Sequence, residues 1–356
     1  MPIITNKRAL FRAILGASAV LAVTAATTVI PTAAQAQTTI RAGVINAISD
    51  AAFFIADRKG YFREEGLNVE IVPFKASSQM VAPLGTGELQ VAAGAVSAGL
   101  YNAIARGIDI RIVADKGSMP KLHGYVELLV RKDLVDSGRY KGFKDLKGMK
   151  VGSQSKGGSA TIILEHALKK AGLTFNDVDL VYMGHPELAA ALQNKAIDAA
   201  FVTEPHAART IRSGAALLMA RGDEVYPDAQ VAVVLYAGKF ITENRGAAER
   251  FMRAYVRAAR DYNDAIKDGR FFGPKGDEII KILAEATPVK DIELYKIITP
   301  NGCNPNGQVN RESLASDLAS FKADGLIKGE PDLKTIIDMS FAEKAVKELG
   351  PYKPNS

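Results

Sequence analysis

Two stretches of this 356-residue chain repeat one pattern, and that pattern restricts the fold more than any other feature. "VEIVPFKASSQMVAPLGTGELQVAAGAVSA" begins at Val69, and "VDLVYMGHPELAAALQNKAIDAAFVTEPHA" begins at Val178. Each opens with a short apolar strand, turns through polar residues and continues as a helix with apolar residues at helical spacing. Each closes on a second short strand, "LQVAAG" or "IDAAFV". A helix with a glycine stop precedes both, "RKGYFREEGL" in the first and "HALKKAGL" in the second. Strands alternating with helices predict parallel-rich sheets covered by helices. Two such units predict an α/β protein of two similar lobes.

The flanking segments extend both lobes. Strands are expected at "TIRAGVI" from Thr39, "IDIRIVADKG" from Ile108, "YVELLVRKDL" from Tyr125, "MKVGSQ" from Met149 and "QVAVVLYAGKFI" from Gln230. From Glu243 onward the pattern is mostly helical. The expected division is residues 37–124 for the first part of lobe I and 125–229 for lobe II. Residues 230–356 then form a return strand and C-terminal helices that complete lobe I. No low-complexity linker separates the lobes, so two crossing strands are expected to form a hinge, with a cleft between the lobes.

The first 36 residues read as a signal peptide, outside this body. Lys7, Arg8 and Arg12 precede the apolar run "AILGASAVLAVTAATTVI", and "PTAAQA" supplies small residues for cleavage after Ala36. "NKRALFR" resembles a twin-arginine signal with lysine in the first arginine position, so both general and twin-arginine export are open. Removing these residues lowers the formal charge from +6 to +3. That dispersed balance gives no reason to expect nucleic acid as a partner. Cys303 is the sole cysteine, so no intramolecular disulfide is possible. A periplasmic, monomeric protein without cofactor is expected, and no metal, because the four histidines lack metal-ligand spacing.

In parallel sheets, ligands collect beyond the carboxyl ends of strands, where helices present free N–H groups. Those ends are "NAISDAA", "KASSQ" and "GAVSA" in lobe I, and "SQSKGGSA", "MGHPE" and "VTEPHA" in lobe II. Gly152, Gly157 and Ser159 match the spacing of a nucleotide-binding P-loop, but Gly158 occupies the lysine position. Gly157, Gly158 and Ser159 therefore read either as an anion-binding turn or as a simple helix start. Glu204 can accept hydrogen bonds from a ligand or brace the turn before Pro205. His123 at the expected hinge, and His185 and His206 on cleft-side loops, are candidate polar contacts. Phe53, Phe54, Tyr101 and Tyr125 can stack on a flat ligand or pack in a core. No nucleophile elbow is present.

"IRAGVINAISDAAFFIADRKGYFREEGLNVEIVPF", "GELQVAAGAVSAGLYNAIARGIDIRIVA", "FKDLKGMKVGSQSKGGSATIILEHALKKAGL" and "AIDAAFVTEPHAA" together resemble ABC-type solute-binding proteins of the nitrate/sulfonate/taurine family. That family also includes binding proteins and synthases for thiamine pyrimidine precursor. The resemblance implies a two-lobe periplasmic binding fold of type II and delivery of a captured solute to an inner-membrane permease with ATPase subunits. It implies ligand contacts from Asn46, Ser49 and Asp50, from Ser77, Ser78 and Gln79, and from Val96 and Ser97. In lobe II it implies Gly157, Gly158, Ser159, Thr203 and Glu204. Thr203 stands where many relatives carry tryptophan, and the cysteine-rich motif of the pyrimidine synthases is absent. The implied role is a non-enzymatic receptor for a small anionic or amphoteric organic solute. Alternatives are a sensory binding protein, a pyrimidine-precursor receptor, or an exported enzyme with Glu204 and His206 or His185 as acid and base.

Overall fold

In the computed structural model, residues 38–354 are described, so the signal-like segment 1–36 lies outside the described residues. The apolar strands assemble into two five-stranded sheets. The first contains β1 (Thr38–Val44), β2 (Leu67–Pro73), β3 (Val91–Ala95), β4 (Ile110–Met119) and β10 (Ala229–Ala237), in the order β2-β1-β3-β10-β4. The second contains β5 (Val126–Arg131), β6 (Lys150–Ser153), β7 (Asp179–Tyr182), β8 (Ala199–Thr203) and β9 (Ala216–Arg221), in the order β7-β6-β8-β5-β9. The repeat seen in the sequence occupies equivalent places: β2, a helix and β3 in one lobe, and β7, a helix and β8 in the other.

Four strands of each sheet run in one direction, and the fourth in spatial order is antiparallel to both its neighbours. That antiparallel strand is the one that has just crossed from the other lobe. β5 enters the second sheet after β4, and β10 returns to the first after β9. All nine residues of β10 are buried, as expected of a central strand with helices on both faces.

Helix Arg245–Asp264 covers the first sheet. Its apolar face, with Phe251, Tyr255 and Tyr262 fully buried, packs on helix Ala51–Arg58. Phe251 stacks on Phe62 at 4.7 Å and meets the rings of Phe53 and Tyr236 at 5.8 and 6.0 Å. Phe53, Phe54 and Tyr101 are therefore core residues and not ligand platforms. The arginines on this helix pair outward, Arg253 with Glu65 and Glu348, and Arg257 with Glu64. Among the described residues no helix is long and apolar enough to cross a membrane.

Phe251→Ala removes the ring that joins the helix to the sheet and leaves a cavity, so it should cost roughly 3–5 kcal/mol of folding stability. Urea unfolding monitored by circular dichroism reads this loss; a cost below 1 kcal/mol would contradict the packing described.

Candidate functional site

Parallel pairing gathers the carboxyl ends of β1 and β3 on one edge and those of β6 and β8 on another, and the loops that follow these ends meet between the lobes. The seam between them is closed by main-chain contacts. Ser97 and Gly158 form an isolated antiparallel bridge, and Ala98 N–H donates to Gly157 O at 2.9 Å. Gly157 adopts φ +65°, and a Cβ there would come within 3.0 Å of Ala98 Cβ. Glycine thus suits both the left-handed turn and the close approach of the lobes. Deeper in, Ile48 N–H points to Glu204 O at 3.4 Å.

Behind this seam lies a small, partly open cavity of about 20 Å³, room for roughly one water molecule in this arrangement. Ser49, Lys116, Tyr125, Gln154, Ser159, His185 and Thr203 supply its polar lining. Ile45, Val126, Val231 and several alanines supply the apolar part. Lys116 reaches it from β4. Its Nζ donates to Asp50 Oδ1 at 2.6 Å and to Ser49 Oγ at 3.1 Å, and both members of the ion pair are buried. Asp50 Oδ2 accepts the N–H groups of Ile45 and Ala47 at 3.0 and 3.1 Å. The carboxylate therefore fixes the turn after β1, where Asn46 takes a left-handed φ of 57°, and anchors the ammonium group.

The structure brings Ser49, Ser159 and Thr203 together at the cavity, along with the candidate contacts His185 and Tyr125, and uses the other expected residues differently. Asp50 sits behind Ser49 with its oxygens engaged, and Asn46 forms the turn. Ser78 and Gln79 are exposed, Gln79 caps Lys75 N–H, and Ser77 is partly buried outside the cavity lining. Val96 is core, and Ser97 Oγ caps helix Ala98–Ala105 through Leu100 N–H. Gly157 and Gly158 carry the interlobe seam. His123 lies away from the cavity, in a separate pocket of about 410 Å³ with Asp115 and Asn304, its Nδ1 hydrogen-bonded to Pro300 O. Lys116 was missed as a site residue. The available signal is the charged pair Asp115-Lys116 within a strand whose apolar pattern buries both faces, since buried charges require partners.

Of the two roles open to Glu204 in the sequence, bracing matches its contacts. Its oxygens accept Ala208 N–H at 2.9 Å and Thr299 N–H at 3.2 Å. Burial, and then the neighbouring Glu127, push its carboxyl well above the ordinary range. Burial likewise pushes Glu127 up to about 7, although Thr299 Oγ1 donates to its Oε1 at 2.9 Å and Arg221 and Arg270 oppose the rise. The segment around Thr299 thus ties both carboxyl groups at the base of the lobes. Among the described residues no cluster of His, Cys, Asp or Glu could hold a metal ion.

The NMT1-like family profile matches residues 33–268, and the chain belongs to that family. A protein named as a binding protein in Brucella abortus is 29% identical over 215 residues, covering 59% of this chain and 62% of that protein. The match thus spans less than two thirds of that relative. A protein of Bacillus subtilis named for binding aliphatic sulfonates is 26% identical over 318 residues, covering 87% of this chain and 88% of its own. The ligand-binding component of an ABC-type import system from Staphylococcus aureus, solved with zinc bound, superposes with a TM-score of 0.72 at 16% identity. That superposition covers 87% of this chain and 99% of the other. The chain therefore has the two-lobe α/β architecture of periplasmic binding proteins.

Two outcomes follow from the buried charges. Lys116→Met leaves Asp50 without its countercharge and should cost roughly 3–5 kcal/mol, most of it recovered when Asp50→Asn is added. Equal losses in the single and double variants, read by denaturant melts, would refute the pairing. Glu127 in the folded chain keeps its proton up to about 7, against an ordinary value of 4.5. The stability this contributes is complete below the ordinary value and is lost as pH rises through the folded one. The melting temperature should therefore fall between pH 5 and 8, and Glu127→Gln should flatten that fall and raise the melting temperature at pH 8.

Proposed function

We propose that this chain is the exported solute-binding component of an ATP-driven importer. It closes its cleft on a small organic anion and delivers it to a permease in the inner membrane. In this reading residues 1–36 direct export and are removed, and the mature protein works in the periplasm as a monomer. Residues 37–124 and 230–356 build one lobe, and residues 125–229 build the other.

The observation that carries the reading is the excess of hydrogen-bond donors over free acceptors on the cavity wall. Lys116 is the only lining residue with a formally charged side chain, since burial keeps His185 neutral. Asp50 and Glu204, the nearby carboxylates, are consumed by main-chain N–H groups and by Lys116 itself. The wall therefore offers donors to an acceptor-rich ligand and no free acid to an amine. Ser49, Ser159 and Thr203 add hydroxyl groups, and helix Ser159–Lys170 opens toward the same space with its first N–H groups free of intrahelical partners. Ile45, Val126 and Val231 suit an apolar body on that anion. A sulfonate or carboxylate fits this wall, while an amphoteric ligand meets no counter-charge for its cationic end. The Bacillus relative named for aliphatic sulfonates and the importer component from Staphylococcus aureus support the same direction. The engagement of Glu204 by Ala208 and Thr299 favours capture without chemical change over acid–base catalysis.

Binding would shift a hinged open–closed equilibrium toward closure, with the lobes parted enough to widen the one-water space seen here. Calorimetry of the purified mature chain against matched anions, zwitterions and amines tests the proposal, with anions alone expected to bind. Gly157→Val introduces a branched side chain at φ +65° in contact with Ala98 and should weaken anion binding at least about tenfold by obstructing closure. Binding of amines but not anions would overturn the reading, and unchanged affinity in Gly157→Val would remove the seam from the binding mechanism.

A further inference from the structure

Two polar atoms at the cavity have no hydrogen-bond partner within the protein, His185 Nδ1 and Tyr125 Oη. Both residues are more than nine-tenths buried, with relative exposures of 8% and 1%. Buried polar groups are nearly always paired, so two unpaired atoms on residues that line one small space call for an explanation. Tyr125 Oη lies close to Gly117 and interacts with the Ser49 hydroxyl, without a hydrogen bond of normal geometry to it. A Cβ on residue 117 would lie 2.6 Å from that oxygen, so the glycine makes room for the phenol.

His185 begins helix His185–Gln193 and stacks on His206, with ring centroids 5.7 Å apart and 19° between planes. Burial, and then the proximity of His206, hold its imidazolium down to about 3. The ring is therefore neutral, with one N–H and one bare nitrogen. It cannot serve as a second positive charge for the anion. Its fixed orientation, set by the helix start and the stacking partner, suits it instead to a directional hydrogen bond.

We propose that His185 is a specificity-determining residue that reads a hydroxyl group on the bound anion, with Tyr125 as the second polar contact. The inference rests on the anion-receptor reading above and narrows it to hydroxy-substituted carboxylates or sulfonates. A hydroxyl both donates and accepts, so it satisfies Nδ1 in either tautomer and can pair with the phenol. An analogue lacking it leaves a buried polar group unpaired, which is the situation in which binding sites discriminate strongly.

The test uses matched pairs within an anion panel: lactate against propionate, and isethionate against ethanesulfonate, measured by calorimetry and thermal shift. The unaltered protein should bind the hydroxy member of a pair at least about tenfold more tightly. His185→Phe should reduce that preference to about twofold or less while changing affinity for the deoxy member by less than about threefold. His185→Gln, which restores a polar side chain, should retain part of the preference, and thermal melts of each variant establish that it is folded. Equal binding of both members by the unaltered protein, or full preference persisting in His185→Phe, overturns the role of His185 and leaves the anion receptor standing. Absence of binding by every anion in the panel overturns the anion-receptor reading and this inference together.

Discussion

Each sheet is completed by a strand that arrives from the other lobe, and this exchange is the constraint on which the remaining architecture depends. β10 lies between β3 and β4, and β5 lies between β8 and β9, so neither sheet is continuous without its visitor. The crossings are short, near residues 120–125 and 222–228, and each is anchored at both ends in a sheet. Bending between lobes is thereby confined to two parallel tethers, a geometry that favours opening and closing over free rotation. The cleft lies beside these tethers, with Tyr125 at the end of the first one and Lys116 in the strand that leads into it.

The crossing region also gathers buried ionisable groups that an apolar core would not tolerate without partners. Lys116 is neutralised by Asp50. Asp115, the adjacent residue, accepts hydrogen bonds from Gln230, Ser118 and Asn304. Glu127 and Glu204 share the segment around Thr299. These contacts join strands, turns and the C-terminal segment that are distant in sequence. Their directionality complements the non-directional apolar packing beneath helix Arg245–Asp264. The same region thus holds both the alignment of the lobes and the orientation of the ammonium group at the cavity.

Much of this was legible in the chain. The repeated strand–helix–strand units fall where the pattern put them, and the apolar runs at Thr39, Ile108, Tyr125, Met149 and Gln230 all lie on strands. The antiparallel insertion of β5 and β10 was not legible, because an apolar strand carries no mark of its direction. Ser49, Ser159 and Thr203 reach the cavity because they sit at strand or helix ends, a position that sequence shows. Glu204 and the glycines sit at similar ends, yet their roles depend on partners more than fifty residues away, Thr299 and Ala98. Lys116 was hidden for the same reason: within a strand, only three-dimensional pairing tells an anchored charge from a solvated one.

For the receptor proposed above, the Ser97–Gly158 bridge has a consequence for how such a protein can diversify. It is made by peptide groups, with glycine on one side and a serine whose hydroxyl is occupied in capping a helix on the other. The clasp is therefore chemically blind to the cargo behind it. Substitutions in the cavity wall can retune what is captured while leaving the clasp intact, so a lineage of such proteins can acquire new ligands without reinventing the motion that traps them.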